Sequence, residues 1–334
     1  MAIAQHRSLT ETPLRTLAAT EAIDLHLHTL ASDGFWTPSE LVDYLADHDF
    51  RVAAICDHDT QASVLAAIRQ GERRGVLIVP GIEVTSRWHD RQWHLLVYGI
   101  RPDDERPEAQ SFLEMVTTTD TAYREMARDA RQRVEASGRP LPSLSMSLNA
   151  DAMYPVHVLR AMIAEKHVPR LKEAAELVVE LGGNFTIDRP LPEVVERAHR
   201  AGGICILAHP GRADLGPALT GEVLDEMLKE VALDGIETHY RSYTDTETAF
   251  YRDLAEQRGL MTSTGSDSHA LGAPVDPRPW QAIWAAALLA RLGVEVEPRE
   301  SGPVWEPGMD PFVVKPAPPK EELTDSGESA SPSN

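Results

Sequence analysis

The chain has 334 residues, 42% of them apolar and 25% charged, and carries a formal charge of −20. That length buries a full core and fits one large α/β domain or two smaller ones. So acidic a chain repels polyanions, which argues against extended nucleic acid as a partner unless a local positive field, such as bound divalent cations, reverses the sign inside a cleft.

No apolar run reaches the ~18 residues of a membrane span, and the N-terminal segment lacks the continuous apolar stretch of a secretory signal. Cys56 and Cys205 lie in short apolar runs. They read as buried thiols of a cytoplasmic protein, not as a disulfide framework.

Taken in chain order, short β-rich runs are expected at 23–28, 52–57, 77–83, 93–99, 204–209, 235–238 and 260–265. Thr37-Pro38-Ser39-Glu40 has the form of a capping box with proline at the first helical position, opening a helix to about residue 48. Strand–helix alternation of this kind predicts a parallel sheet, open or closed into a barrel. The alternation stops after Gly99. Tyr123, Met126, Ala127, Ala130 and Val134 form one helical stripe; Val158, Leu159, Met162 and Ile163 a second; Leu171, Ala174, Ala175 and Val178 a third. A helical insertion at 101–184 between barrel segments 22–100 and 185–290 accounts for this pattern. From 302 to 334 the chain turns Pro-, Glu- and Ser-rich, the composition of a disordered tail.

Residues that carry chemistry gather where the strands are expected to end. Asp24-Leu25-His26-Leu27-His28 places two imidazoles on one face of a strand, where they can grip one cation. Ser32-Asp33-Gly34, Asp57-His58-Asp59, Gly81-Ile82-Glu83, His94, His209 and Asp267-Ser268-His269 follow. Imidazoles and carboxylates at the C-terminal ends of barrel strands mark a site, and this donor mixture suits Zn²⁺, Mn²⁺ or Fe²⁺. Paired thiolates for a structural zinc are absent from the sequence.

Asp-Leu-His-x-His, Ser-Asp-Gly, Asp-His-Asp, Gly-x-Glu-Val, Ala-His-Pro-Gly-Arg and Gly-Ser-Asp-x-His occur in this order over roughly residues 22–285. The chain thereby resembles the PHP (polymerase and histidinol phosphatase) family. The resemblance implies an α/β fold, a distorted (β/α)7 TIM-like barrel, with two or three divalent metal ions at its C-terminal end. It places one metal on His26, His28, Glu83 and Asp267. A second shares Glu83 as a bridge with His94 and His209, and a third uses Asp33, His58 and His269.

Within the family, the helical insertion resembles that of enzymes acting on nucleoside 3′,5′-bisphosphates and on the ends of short RNAs. His157 and Arg212 match their phosphate-gripping positions, whereas Pro155 stands where those relatives carry an arginine. The implied reaction is hydrolysis of a phosphate monoester of a nucleotide or similar small molecule by a hydroxide bridging two cations. Arg212 would neutralise phosphoryl oxygens, and His157 would neutralise phosphate or protonate the leaving oxygen. The alternatives are a 5′→3′ exoribonuclease on short RNA, or a metal-binding partner module without turnover.

The remaining motifs have plainer expectations. His48, His89, His167 and His199 lie among charged residues as solvated surface. His239 is balanced between packing and lining the cleft. Trp280 and Trp284, spaced i, i+4, suggest a helix packed on the barrel. Trp88 and Trp93 flank a hairpin-like turn and are expected in the core, with a stacking wall for a nucleobase as the other reading.

Overall fold

The computed structural model describes residues 15–147, 153–187, 189–212, 216–269 and 276–310. Runs of β-branched and aliphatic residues form the main sheet: β2 (Ala22–Leu27), β3 (Phe50–Ile55), β4 (Leu77–Trp88), β5 (Arg91–Tyr98), β6 (Ile204–Leu207), β7 (Gly235–Tyr240) and β8 (Met261–Gly265). A two-residue strand, β9 (Trp280–Gln281), extends it. The strand order is β8-β7-β6-β5-β4-β3-β2-β9, and the sheet curls into a nearly closed barrel. Closure comes from the backbone. Asp267 N–H donates to His26 O at 2.8 Å, and His28 N–H donates to Ser268 O at 3.0 Å. Asp24 reinforces this seam: its buried carboxylate accepts from the backbone N–H of Ser266 and of Arg278, each at 3.0 Å.

The parallel expectation holds for β2–β3–β4 and β6–β7–β8. It fails in the middle, where β4 and β5 form a tight antiparallel hairpin and β5 meets β6 antiparallel. Only two residues, His89 and Asp90, separate β4 from β5, and a parallel return would need a crossover of a dozen or more. Helix α1 (Pro38–Asp47) starts at the expected capping box, with Thr37 and Glu40 bonded reciprocally. Helix α2 (Val64–Arg74) packs on α1 and β4.

Between β5 and β6 lie α3 (Pro107–Ala136), α4 (Pro142–Ser147), α5 (Pro155–Ala164), α6 (Leu171–Glu180) and α7 (Leu191–Arg200). Tyr123, Ala127, Ala130 and Val134 of α3, Val158 and Met162 of α5, and Ala174 and Val178 of α6 are buried. Leu171, the first residue of α6, departs from its stripe and is 46% exposed. Helices α8 (Gly221–Glu230) and α9 (Asp245–Gln257) cover β6 to β8.

Trp280 and Trp284 do not share a helix. Trp280 pairs with Ile23 in β9, and Trp284 sits in a 3₁₀ turn, Ala282–Ala285, before α10 (Ala286–Arg291). Both are buried at the barrel base. Outside the expected elements, β1 (Arg15–Leu17) pairs with β10 (Val294–Val296). Residues 302–310 of the expected tail pack on this base, with Val304 O accepting from Trp284 Nε1 at 3.0 Å. Residues 311–334 lie outside the described residues. No helix among the described residues is long and apolar enough to cross a membrane. Cys56 and Cys205 are buried and free.

Asp57, just past β3, organises the loops at the mouth of the barrel. Its carboxylate accepts from Thr29 N and Thr29 Oγ1, each at 2.7 Å, from Ser32 Oγ at 2.7 Å, and from Ser63 Oγ. Removing it leaves several buried donors unsatisfied, each worth about 1–3 kcal/mol. Asp57→Ala is therefore expected to lower unfolding stability by at least about 3 kcal/mol in urea titrations. An unchanged midpoint would show that water replaces the carboxylate.

Candidate metal centre

Alternation along β2 sends His26 and His28 to the same interior side, as their spacing predicts. His26 Nε2 lies 3.0 Å from Glu83 Oε2, 3.1 Å from His28 Nε2 and 3.7 Å from Asp267 Oδ1. His28 Nε2 lies 3.1 Å from Glu83 Oε2 and 3.0 Å from Asp267 Oδ1. The other oxygen of Glu83, Oε1, lies 2.8 Å from both His94 Nδ1 and His209 Nε2. A third group forms around Asp33, with His269 Nε2 at 3.0 Å and His58 Nε2 at 4.0 Å from Oδ1.

His28 reaches this third group as well, and His58 Nδ1 also approaches Glu83 Oε2 at 3.4 Å, so both histidines stand between groups. All nine residues named from the sequence as metal ligands therefore converge at one end of the barrel.

The backbone is unusual here. His209 and Asp267 adopt positive φ, 27° and 52°, where non-glycine residues are rarely found. Gly265 is required by close approach: a Cβ there would stand 2.3 Å from His26 Cβ and from Glu237 Oε1.

The donor chemistry fits cations. Four lone-pair atoms from His26, His28, Glu83 and Asp267 meet at 3.0–3.7 Å. Ligands held about 2.0–2.2 Å from one cation stand ~3–3.5 Å apart. His28 Nδ1 is buried and has no hydrogen-bond partner, although it faces the third group. Burial alone would raise the Glu83 carboxyl, but His58, His26 and His94 hold it well below the usual carboxylate range. Burial would likewise lower His26, yet Glu83, Glu237 and Asp267 raise it well above an ordinary imidazole. A cation would supply the positive charge that these protons carry and would release them on binding.

No protein-family model matches the chain. It is 26% identical to the 5′-3′ exoribonuclease Rnm of Salmonella typhimurium, over 77% of this chain and 86% of that one. It is 27% identical to a 3′,5′-nucleoside bisphosphate phosphatase of Chromobacterium violaceum, over 75% and 88% of the two chains. Among solved structures, an amidohydrolase from Chromobacterium violaceum with bound sulfate superposes with a TM-score of 0.66 at 27% identity, covering 81% of this chain and 96% of that one.

These similarities, with the motifs read from the sequence, support an assignment to the PHP family.

The two residues matched from the sequence to phosphate grip, Arg212 and His157, both lie beside the cluster. Arg212 follows His209 on a tight turn, its N–H bonded to His209 O at 2.9 Å, and its Nη1 is 3.4 Å from Asp267 Oδ2. His157, on the first turn of α5, is buried, and its Nδ1 accepts from Tyr154 N–H at 2.9 Å, which leaves the ring proton on Nε2. Burial pushes His157 down to about 4; Asp33 opposes the shift, while Arg160 and Arg124 add to it.

His239 does not line the cleft. A register shift in β7 between Glu237 and His239 turns it outward, where it stacks on Trp284 at 4.4 Å and accepts from Arg252. Trp88 and Trp93 are core residues of the hairpin. Among the histidines read as surface, His199 is half-buried and pairs with Asp234 at 2.8 Å.

Sequence reasoning missed the layer of side chains that supports this cluster. Glu237 is fully buried, with Oε1 3.1 Å from His26 Nδ1 and Oε2 accepting from His209 N–H at 2.7 Å. Tyr240 and Arg241 hold Asp267, the tyrosine hydroxyl donating to Oδ2 at 2.6 Å. A carboxylate inside the otherwise uncharged run of β7 was the available signal for Glu237. Such a partner fixes the tautomer and orientation of a ligating histidine, and its loss typically costs 10–100-fold in metal affinity. Glu237→Gln is expected to weaken Mn²⁺ binding by about that factor in calorimetric titration. Wild-type affinity would show that His26 is oriented by packing alone.

Proposed function

We propose that the protein is a metal-dependent phosphoesterase that removes a phosphate monoester from a nucleotide or a similar small molecule. The observation that carries this reading is the sharing of one buried carboxylate, Glu83, among groups of imidazoles with arginines at their rim. His26, His28, Glu83 and Asp267 would hold one cation. Glu83, His94 and His209 would hold a second, and Asp33, His58 and His269 a third. Divalent cations bound there supply a water of lowered pKa and Lewis-acid stabilisation of phosphoryl oxygens.

The chain's own side chains do the rest. Glu237 orients His26 through its Nδ1. Arg212, partly exposed beside Asp267, presents a guanidinium to the non-bridging oxygens as charge accumulates. His157 offers its Nε2–H as a donor on the insertion side, which orients the phosphate group or its leaving oxygen. The insertion, 101–184, forms that side of the site.

A second reading, a 5′→3′ exoribonuclease, is favoured by the name of the Salmonella relative. The charge of −20 weighs against it, since RNA binding rests largely on cationic contacts to phosphates. A phosphate-release screen of the Mn²⁺-loaded protein against nucleotides, bisphosphates, sugar phosphates and short RNAs separates the two. Release from nucleotides with little salt dependence supports the first reading. Strongly salt-sensitive trimming of RNA alone supports the second.

Two further outcomes are expected. Elemental analysis after metal loading should give more than one divalent ion per chain, because the nine donors exceed what one tetrahedral site uses. One equivalent or fewer would exclude a multinuclear centre. Glu83→Gln should reduce phosphate release by at least about 100-fold while the far-ultraviolet circular dichroism stays native. Turnover near the wild-type rate at saturating Mn²⁺ would remove Glu83 from the bridging role.

A further inference from the structure

Next to the cluster lies an aromatic side chain that no role above uses. Phe35 is 60% exposed, although its neighbour Trp36 is buried. Its exposure does not come from a loose loop. Phe35 N–H donates to His269 O at 2.6 Å, Gly34 N–H to Thr29 O at 3.0 Å, and Leu30 N–H to Trp36 O at 2.8 Å. Gly34 passes so close to the strand end that a Cβ would stand 2.7 Å from His28 C. The turn that carries Asp33 into the site thus also fixes the backbone from which the ring projects at its mouth.

Across from Phe35 the insertion completes a pocket of about 170 Å³, walled by Leu30, Leu144, His157, Arg160 and Ala161. Its polar side faces the third ligand group. Arg160 Nη1 donates to Asp33 O at 3.2 Å, Nη2 lies 3.6 Å from Asp33 Oδ2, and the side chain is still 40% exposed. Whole small-molecule ligands usually fill ~300–1,000 Å³, so this pocket takes part of a molecule whose remainder lies elsewhere. A phosphate ester seated on the cluster has such a remainder. A rigid aromatic face, a small-residue wall at Ala161 and a guanidinium toward the phosphate side suit a flat ring joined to an anion.

We propose that this pocket receives the base of the nucleotide, stacked on Phe35, with Arg160 at its sugar–phosphate edge. The inference rests on the nucleotide reading above and goes further by naming the subsite and its selectivity. Stacking uses the π-face that every base has, so the enzyme discriminates base from no base more than one base from another.

The test compares wild type, Phe35→Ala and Phe35→Tyr on adenosine 3′,5′-bisphosphate and on its abasic analogue, in which hydrogen replaces the base. Wild type is expected to prefer the nucleotide by about 10- to 100-fold in kcat/KM. Phe35→Ala should lose most of that preference through a higher KM, with kcat, metal content and Tm close to wild type, and Phe35→Tyr should keep it. Calorimetric binding of adenosine 5′-monophosphate should weaken in the alanine variant and survive in the tyrosine one. An unchanged preference in Phe35→Ala, or an equal loss on both substrates, would overturn the base pocket. Equal turnover of both substrates by wild type would do the same while leaving the phosphoesterase reading intact. Turnover of neither would overturn the nucleotide reading itself, and the pocket with it.

Discussion

One buried carboxylate sets the terms for the rest of the structure. Glu83 has no exposed surface, and five imidazoles approach its two oxygens within 3.4 Å. Asp33, Glu237 and Asp267 bring further negative charge into the same dry volume. Carboxylates gathered in this way are tolerated only if positive charge and hydrogen-bond donors meet them at close range. The local architecture follows from that requirement. Arg212 and Arg241 converge on Asp267, β8 ends in a glycine so that His26 and Glu237 can close over it, and His209 and Asp267 accept strained backbone to aim their side chains.

The insertion contributes more than a cover. Arg124 of α3 donates to Ala31 O at 3.2 Å, and the Tyr154 hydroxyl contacts both Asp120 and the carbonyl of His58. With Arg160 on Asp33, these bonds reach the backbones of the two loops that carry Asp33 and His58. The insertion thus touches the loops of the third ligand group directly, and the first group only through His28 and His58, which stand between the two.

Much of this was legible in the sequence because strand alternation and strand ends are local properties. His26 and His28 announce a shared face by spacing alone, Glu83 and His209 each follow an apolar run that reads as a strand, and Asp267 follows the expected strand at 260–265. The capping box at Thr37 is equally local. What stayed hidden depends on pairing. The run from 77 to 99 offered a hairpin-like turn between Trp88 and Trp93, but not that β4 continues to Trp88 or that β5 then meets β6 antiparallel within an otherwise parallel sheet. The outward turn of His239 comes from a register shift against β8, invisible without the partner strand. Trp280 and Trp284 satisfied a helical spacing by coincidence, because antiparallel pairing with Ile23 captured the first of them. Phe35 carried no periodic signal, and its position matters only once α5 stands opposite.

The seam of the barrel has a consequence for how the molecule is made. Asp24 is bonded to Ser266 across a separation of 242 residues, and His26 to Glu237 across 211. Contacts between such distant parts of a chain form late, after shorter-range structure has paid their loop-closure entropy. A chain emerging from the ribosome exposes His26, His28 and Asp33 long before β7 and β8 exist to complete their surroundings. During that interval the early half holds an open imidazole–carboxylate edge, and any cation meeting it would find neither Glu237 nor Asp267. The full complement of donors is assembled only when β7 and β8 are in place, so the finished site depends on the pairing of segments far apart in the chain.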